Sequence, residues 1–294
     1  MSRPLNRILL WLAPLLFLLI FFFQPLAQII TLAFNTSAFT TANFQLILST
    51  LGFTFYQAIL STILTFVLGI PSAILFSRFN FRGKSLLRAL TAVPFMLPTV
   101  VVASSFNALV GNHGLFSFFI LHPSPFILIL SAHVFYNTTI VIRLVGNALS
   151  RLDPKLEAAA RSLGADTFRV WKNITLPLLR PSLLAAALLV FMFDFTSFGV
   201  ILLLGGSNFS TLEVEIYLRV LKLPNLPLAA LLSIIQLIFT LIFSILYTRT
   251  INQVTTQTAP RFSTSRPPKT LQEKIFVTTF ILRSEERRVG KECT

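Results

Sequence analysis

Cysteine is nearly absent from this 294-residue chain: one residue, Cys293, rules out a disulfide framework, and three histidines with no cysteine partners leave no zinc pattern. Charge is scarce too, at 12% of residues against 54% hydrophobic ones, and acids are the rarer sign, with 10 Asp and Glu against 24 Lys and Arg. Soluble domains carry about a quarter charged residues, so this composition, with a mean hydropathy of +0.79, places the chain in a membrane. The excess of basic residues does not form the continuous basic face that a nucleic-acid partner needs, because it falls between apolar runs. The first apolar run shows no small-residue cleavage site and reads as a retained span.

What the chain has in abundance is uncharged length. No Lys, Arg, Asp or Glu occurs between Arg7 and Arg78, or from Ala89 to Ile142. A spanning helix takes about 20 apolar residues, so each stretch holds two helices and a connection. The expected spans are Ile8 to Thr31, Phe53 to Phe76, two within Ala89 to Ile142, Ser182 to Leu204, and Pro227 to Thr248. Polar segments separate them at Asn35–Asn43, at Gly111–Gly114 and at His122–Pro125. The expected fold is all-α and polytopic, with six transmembrane helices.

Basic residues orient the spans. Arg3, Arg7, Arg78, Arg82, Lys84, Arg88, Arg151, Lys155, Arg161, Arg169, Lys172, Arg180, Arg249, Arg261, Arg266, Lys269 and Lys274 fall on one side, and only Arg219 and Lys222 on the other. Short basic loops stay inside, so both ends of the six-helix unit are expected in the cytoplasm, with anionic lipid as a secondary contact.

The longest inward loop, Leu149 to Pro181, is the most informative. Asp153 before Pro154 is a helix start, Lys155 to Leu163 has no helix breaker, and Gly164 supplies a left-handed C-terminal cap. Asp166 starts a second short helix that Pro177 is expected to end. At about 1.5 Å per residue the first helix is some 15 Å long, enough to fill a groove on a partner.

Glu157-Ala158-Ala159-Ala160-Arg161-Ser162-Leu163-Gly164, followed ten residues on by Ile174, Leu176 and Pro177, resembles the E-A-A motif of permease subunits of type I ATP-binding-cassette importers. The resemblance implies that this loop docks as a coupling helix on a cytoplasmic ATPase dimer, so that ATP is bound and hydrolysed there and this chain binds no cofactor. It also implies an external substrate-binding protein and a second permease half as partners, in a cell inner membrane. The family's acid stands six before the glycine, where this chain has Ala158. Glu157 stands seven before, so an ionic role does not transfer to it by register. Phe53–Ala58 with Leu68–Pro71, Val93-Pro94 and Leu97-Pro98 look like the family's second and third spans. Phe195–Val200 and Thr211–Tyr217 look like the thiamine and ferric-iron branch, whose permeases often fuse two halves.

The resemblance implies a first helix and external loop at 1–50, a permease core at 51–248 and a cytoplasmic linker at 249–274. A seventh span is expected to start at 275–282 and to be interrupted. The string at 283–294 resembles a translated sequencing adapter, which leaves Cys293 without meaning for redox compartment.

Gly83-Lys84-Ser85 ends like a phosphate loop, but that motif needs glycine where this chain has Arg78. His113, His122 and His133 have no placed carboxylate partner, so no catalytic or metal constellation is expected. Asp194 is the only acid inside a span, about 18 Å from Ser182 along a helix and so near mid-membrane. It faces either the translocation path or a structural partner such as Arg143, Thr or Asn. Asn107, Tyr136, Asn137, Ser197 and Gln236 join it as path candidates, although such residues also bind membrane helices together. The competing reading is a secondary transporter or channel not coupled to an ATPase, whose signatures are intramembrane ions and broken helices.

Overall fold

The computed structural model describes residues 12, 14–34, 38–111, 114, 124–206, 209–256 and 270–275. Every element among them is helical: α1 (Pro14–Ala33), α2 (Thr41–Arg78), α3 (Lys84–Met96), α4 (Thr99–Val110), α5 (Pro125–Arg151), α6 (Pro154–Ser162), α7 (Thr167–Phe195), α8 (Gly199–Leu204), α9 (Leu212–Leu221) and α10 (Leu226–Thr256). Five of these (α1, α2, α5, α7 and α10) are long and apolar enough to cross a membrane. A sixth span arises if α3 and α4, bent by 101° at Leu97-Pro98, count as one. His113, His122, the adapter-like tail at 283–294 and the expected seventh span beyond Ile275 lie outside the described residues.

The chain divides into two units, 1–55 with 207–242 and 56–206 with 243–294, so that α2 and α10 each contribute to both. In the first unit, Phe53 packs on Phe209 with ring centroids 5.4 Å apart, and Phe55 on Phe239 at 5.2 Å. The Thr54 hydroxyl donates to the Thr50 carbonyl and accepts from the Leu212 backbone N–H, which ties the start of α9 to α2. Leu212, Leu228 and Leu232 are fully buried there. The most apolar stretch of α1 has no buried residue, as expected of a helix that offers its whole surface to lipid.

The second unit is built on α5. Ala73 of α2, Ile140, Val141, Val145 and Leu149 of α5, and Leu179, Ala186 and Val190 of α7 form its core. Small residues allow the approach: a Cβ on Gly69 would stand 2.7 Å from the Val141 Cβ. Gly69→Ala is therefore expected to lower the melting temperature of the detergent-solubilised protein, by overpacking worth about 1–3 kcal/mol. An unchanged melting curve would mean that α2 and α5 can separate freely at that point.

Four span expectations are corrected. The second span is a single helix from Thr41, not Phe53: 41–52 contains no proline, and the helix runs on through Gly52. The third is bent, since Leu97 precedes a proline and adopts ψ 142° instead of a helical value. Pro177 does not end the helix after Asp166: the π turn Trp171–Thr175 widens the backbone, Leu176 N–H reaches back to the Trp171 carbonyl, and the proline ring is accommodated in α7. The span expected from Ser182 to Leu204 breaks between α7 and α8, which moves Asp194 from mid-span to the last turn of α7.

Candidate functional site

The loop that carries the E-A-A-like stretch folds largely as its residues dictate. Asp153 caps α6, its carboxylate accepting from Lys155 N–H at 2.9 Å. At the other end Gly164 adopts φ +84°, Ala165 N–H bonds to the Ala160 carbonyl at 3.0 Å and Gly164 N–H to the Arg161 carbonyl at 3.0 Å. This pair of bonds is a complete left-handed helix stop, and it needs a residue without a Cβ penalty. No buried residue lies on α6, and Leu163 and Phe168 beside it are exposed, so the helix keeps a face that is uncovered among the described residues. Ala158 and Ala159 sit within α6, while Ile174 belongs to the π turn inside α7 and Leu176 and Pro177 follow that turn directly.

Glu157 corrects the sequence reading. Its carboxylate is gripped by both terminal guanidinium nitrogens of Arg78, one at 2.8 Å, and accepts from the Thr175 hydroxyl at 3.1 Å. The ionic role is internal: it joins α6 to the end of α2 and to the π turn of α7. Arg78 holds the Glu157 carboxyl below the ordinary glutamate range, against the upward pull of partial burial, with Thr175 and Arg161 adding to the lowering. Gly83, in the decoy Gly-Lys-Ser, has φ +83° and merely starts the first turn of α3.

The second constellation is buried. Asn137 Nδ2 donates to Asp194 Oδ1 at 2.7 Å, and His133 Nδ1 stands 3.5 Å from the same oxygen. Ser61 Oγ lies 3.1 Å from His133 Nδ1, and Ser197 Oγ lies 2.8 Å from His133 Nε2. Asp194 has no exposed surface, and its Oδ2 has no partner among the described residues. The expectation that His133 lacks a carboxylate partner is thus overturned, because the 133–194 pairing exists only once α5 packs on α7. Arg143, the charged partner considered for Asp194, is exposed on α5 instead.

A cavity of about 480 Å³ adjoins this network, lined among others by Thr99, His133, Tyr136, Asn137, Asp194 and Ser197. Both helix breaks open onto it. The Tyr136 hydroxyl donates to the Leu97 carbonyl freed by the first break, and at the second a Cβ on Gly199 would stand 2.6 Å from Thr99 Oγ1. Non-helical backbone at membrane depth is tolerated where protein or a cavity satisfies it, and that condition holds here. Of the path candidates, Asp194, Asn137, Ser197 and Tyr136 come together at this cavity. Asn107 is exposed on α4 and is not part of its lining, and Gln236 belongs to the first unit, where its amide donates to Glu213 at 2.6 Å.

Residues 65–254, which include both constellations except Ser61, match the family described as binding-protein-dependent transport system inner membrane component. The chain belongs to that family. Among similar family members, the thiamine transport system permease protein ThiP of Haemophilus influenzae is 33% identical over 206 residues, 67% of this chain and 38% of that protein. A probable molybdenum ABC transporter permease protein of Haloferax volcanii is 31% identical over 207 residues, 70% of this chain and 76% of its own length. The sulfate transport system permease protein CysT of Escherichia coli is 31% identical over 159 residues, 52% of this chain and 57% of its own length. This chain thus spans well under half of the Haemophilus permease that it matches. A solved bacterial alginate ABC transporter shares the fold, with a TM-score of 0.67 at 16% identity over 88% of this chain and 98% of that one. An all-helical inner-membrane permease component is what the family membership and these folds have in common.

Proposed function

We propose that the chain is the membrane-spanning permease of an ATP-driven importer that receives its solute from an external binding protein. The observation that carries this is α6, capped at both ends, pinned by Glu157 and Arg78, and left with an uncovered face. In this reading α6 is the coupling helix: ATP binding closes a cytoplasmic ATPase dimer, the docked helix moves, and two permease halves rock between inward-open and outward-open states. ATP chemistry belongs to the ATPase subunits, and both ends of the helix bundle face the cytoplasm. Thiamine is the favoured cargo, supported by the relatives from Haemophilus and Brucella named for it and by the buried acid, which suits a cation. Ferric iron is the second choice, on the resemblance of Phe195–Val200 and Thr211–Tyr217 alone. Relatives named for molybdenum and sulfate keep the cargo class open to test.

The test is Gly164→Val in proteoliposomes holding the complete transporter. A left-handed backbone costs an L-residue about 1–2 kcal/mol and a β-branched one more, and a Cβ at Gly164 meets nothing within 4 Å, so the damage stays in the turn. Transport per ATP hydrolysed is expected to fall by about tenfold or more, with membrane insertion unchanged. Parent-like transport by the variant overturns the coupling role. The broken helices around Asp194 favour one other reading, a secondary transporter. It predicts uptake that persists without ATP.

A further inference from the structure

The cavity between the two helix breaks has the chemistry of a binding site as well as of a passage. Its volume of about 480 Å³ lies in the range that holds a small organic ligand. Its lining is aromatic and acidic: Phe95 and Phe193 meet edge to face with centroids 5.7 Å apart, Tyr136 and Phe198 line the same space, and Asp194 supplies the carboxylate. One oxygen of that carboxylate is held by Asn137, and the other, fully buried, has no partner among the described residues. A buried oxygen of this kind forfeits a hydrogen bond until something supplies a donor or a positive charge.

We infer that this cavity binds a small organic cation, with Asp194 Oδ2 as the counter-ion and the rings of Phe95, Tyr136 and Phe193 as the apolar surround. Asn137, itself fixed on α5, orients the carboxylate, and His133 is locked between Ser61 and Ser197. Aromatic faces attract a cation more than a neutral group of the same shape, and the effect grows when water is excluded. The opposing feature is the first turn of α4, whose Thr99 also lines the cavity and whose backbone N–H groups favour an anion. A bound cation favours the ionised form of Asp194, whose full charge then exceeds the partial charge of the helix end and decides the sign. This inference rests on the importer reading only in calling the bound cation cargo.

The experiment measures binding to the purified full chain in nanodiscs of phosphatidylethanolamine and phosphatidylglycerol, without ATPase or binding protein. Three probes are titrated by calorimetry: choline, its neutral isostere 3,3-dimethylbutan-1-ol, and sulfate. Choline is expected to bind saturably and at least about tenfold more tightly than the isostere, with no heat from sulfate. Asp194→Asn should bring choline down to the affinity of the alcohol. Phe193→Leu should weaken choline several-fold and leave the alcohol unchanged, and it decides the matter if the Asn variant fails to fold. Equal affinity for choline and the alcohol, absence of saturable choline binding, or sulfate binding that choline displaces would each overturn the inference. Thiamine, titrated last, separates the two levels: choline binding without thiamine binding keeps the cation site and removes thiamine as cargo.

Discussion

Reversing the charge at Glu157 is expected to disable the transporter without removing it from the membrane. In Glu157→Lys the new ammonium would face Arg78, where the parent has a two-pronged ion pair with side chains 22% and 15% exposed. Exposed pairs contribute up to about 1 kcal/mol and breaking buried ones costs about 3–5 kcal/mol, so this half-buried pair falls between. In the proposed coupling role, a loss of about 1–3 kcal/mol shifts the docked population of α6 by about 5- to 150-fold. Transport should fall accordingly, whereas basal ATP hydrolysis by the ATPase subunits should not. The double reversal, Arg78→Glu with Glu157→Lys, should recover much of the loss, and a double-mutant cycle on transport measures the coupling. Additive losses with no recovery would mean that the pair does not position α6.

The same pair has a pH signature. Arg78 depresses the Glu157 carboxyl in the folded protein, so its contribution is full above the ordinary glutamate value and is lost as pH falls through the lower folded value. The difference in melting temperature between the parent and Glu157→Gln should therefore be largest near neutral pH. It should shrink below about pH 4. A difference that grows on acidification would assign the stabilisation to another group.

Asp194→Leu is expected to have the second large effect, this time on folding. Leucine would strand the Asn137 amide and remove the carboxylate beside His133 Nδ1, in a place with no exposed surface. Each orphaned polar group costs about 1–3 kcal/mol, enough to lower the yield of monodisperse protein severalfold. Asp194→Asn keeps the shape and a hydrogen-bonding side chain, so its yield should stay near that of the parent. Full recovery of the Leu variant from detergent would show that the network is dispensable for assembly and that Asp194 serves the ligand alone.

Several parts of the polar network were present in the sequence as spacing. His133, Tyr136 and Asn137 stand at i, i+3 and i+4, one face of a helix, and Gln57, Ser61 and Thr65 repeat every four residues along α2, all fully buried. A helical reading of those stretches places polar stripes inside a membrane protein, where they must meet partners. It does not say which partners. Arg78 was legible only as a topology signal, because nothing in its neighbourhood marks Glu157, far along the chain, as the carboxylate it would hold.

The sequence by itself determined what local chemistry can determine. Uncharged length required membrane helices, Asp153 and Gly164 set the two ends of α6, and the Gly-to-Ile-x-Leu-Pro spacing marked the family, since caps and breakers act within a turn or two of themselves. Tertiary structure decided the rest. A π turn carried α7 through Pro177, the bend at Leu97-Pro98 and the break after Phe195 opened onto one cavity, and the Glu157–Arg78 and His133–Asp194 pairs formed. Those features depend on which helices lie side by side. Hydropathy, which repeats with little variation from one span to the next, carries almost no record of that choice.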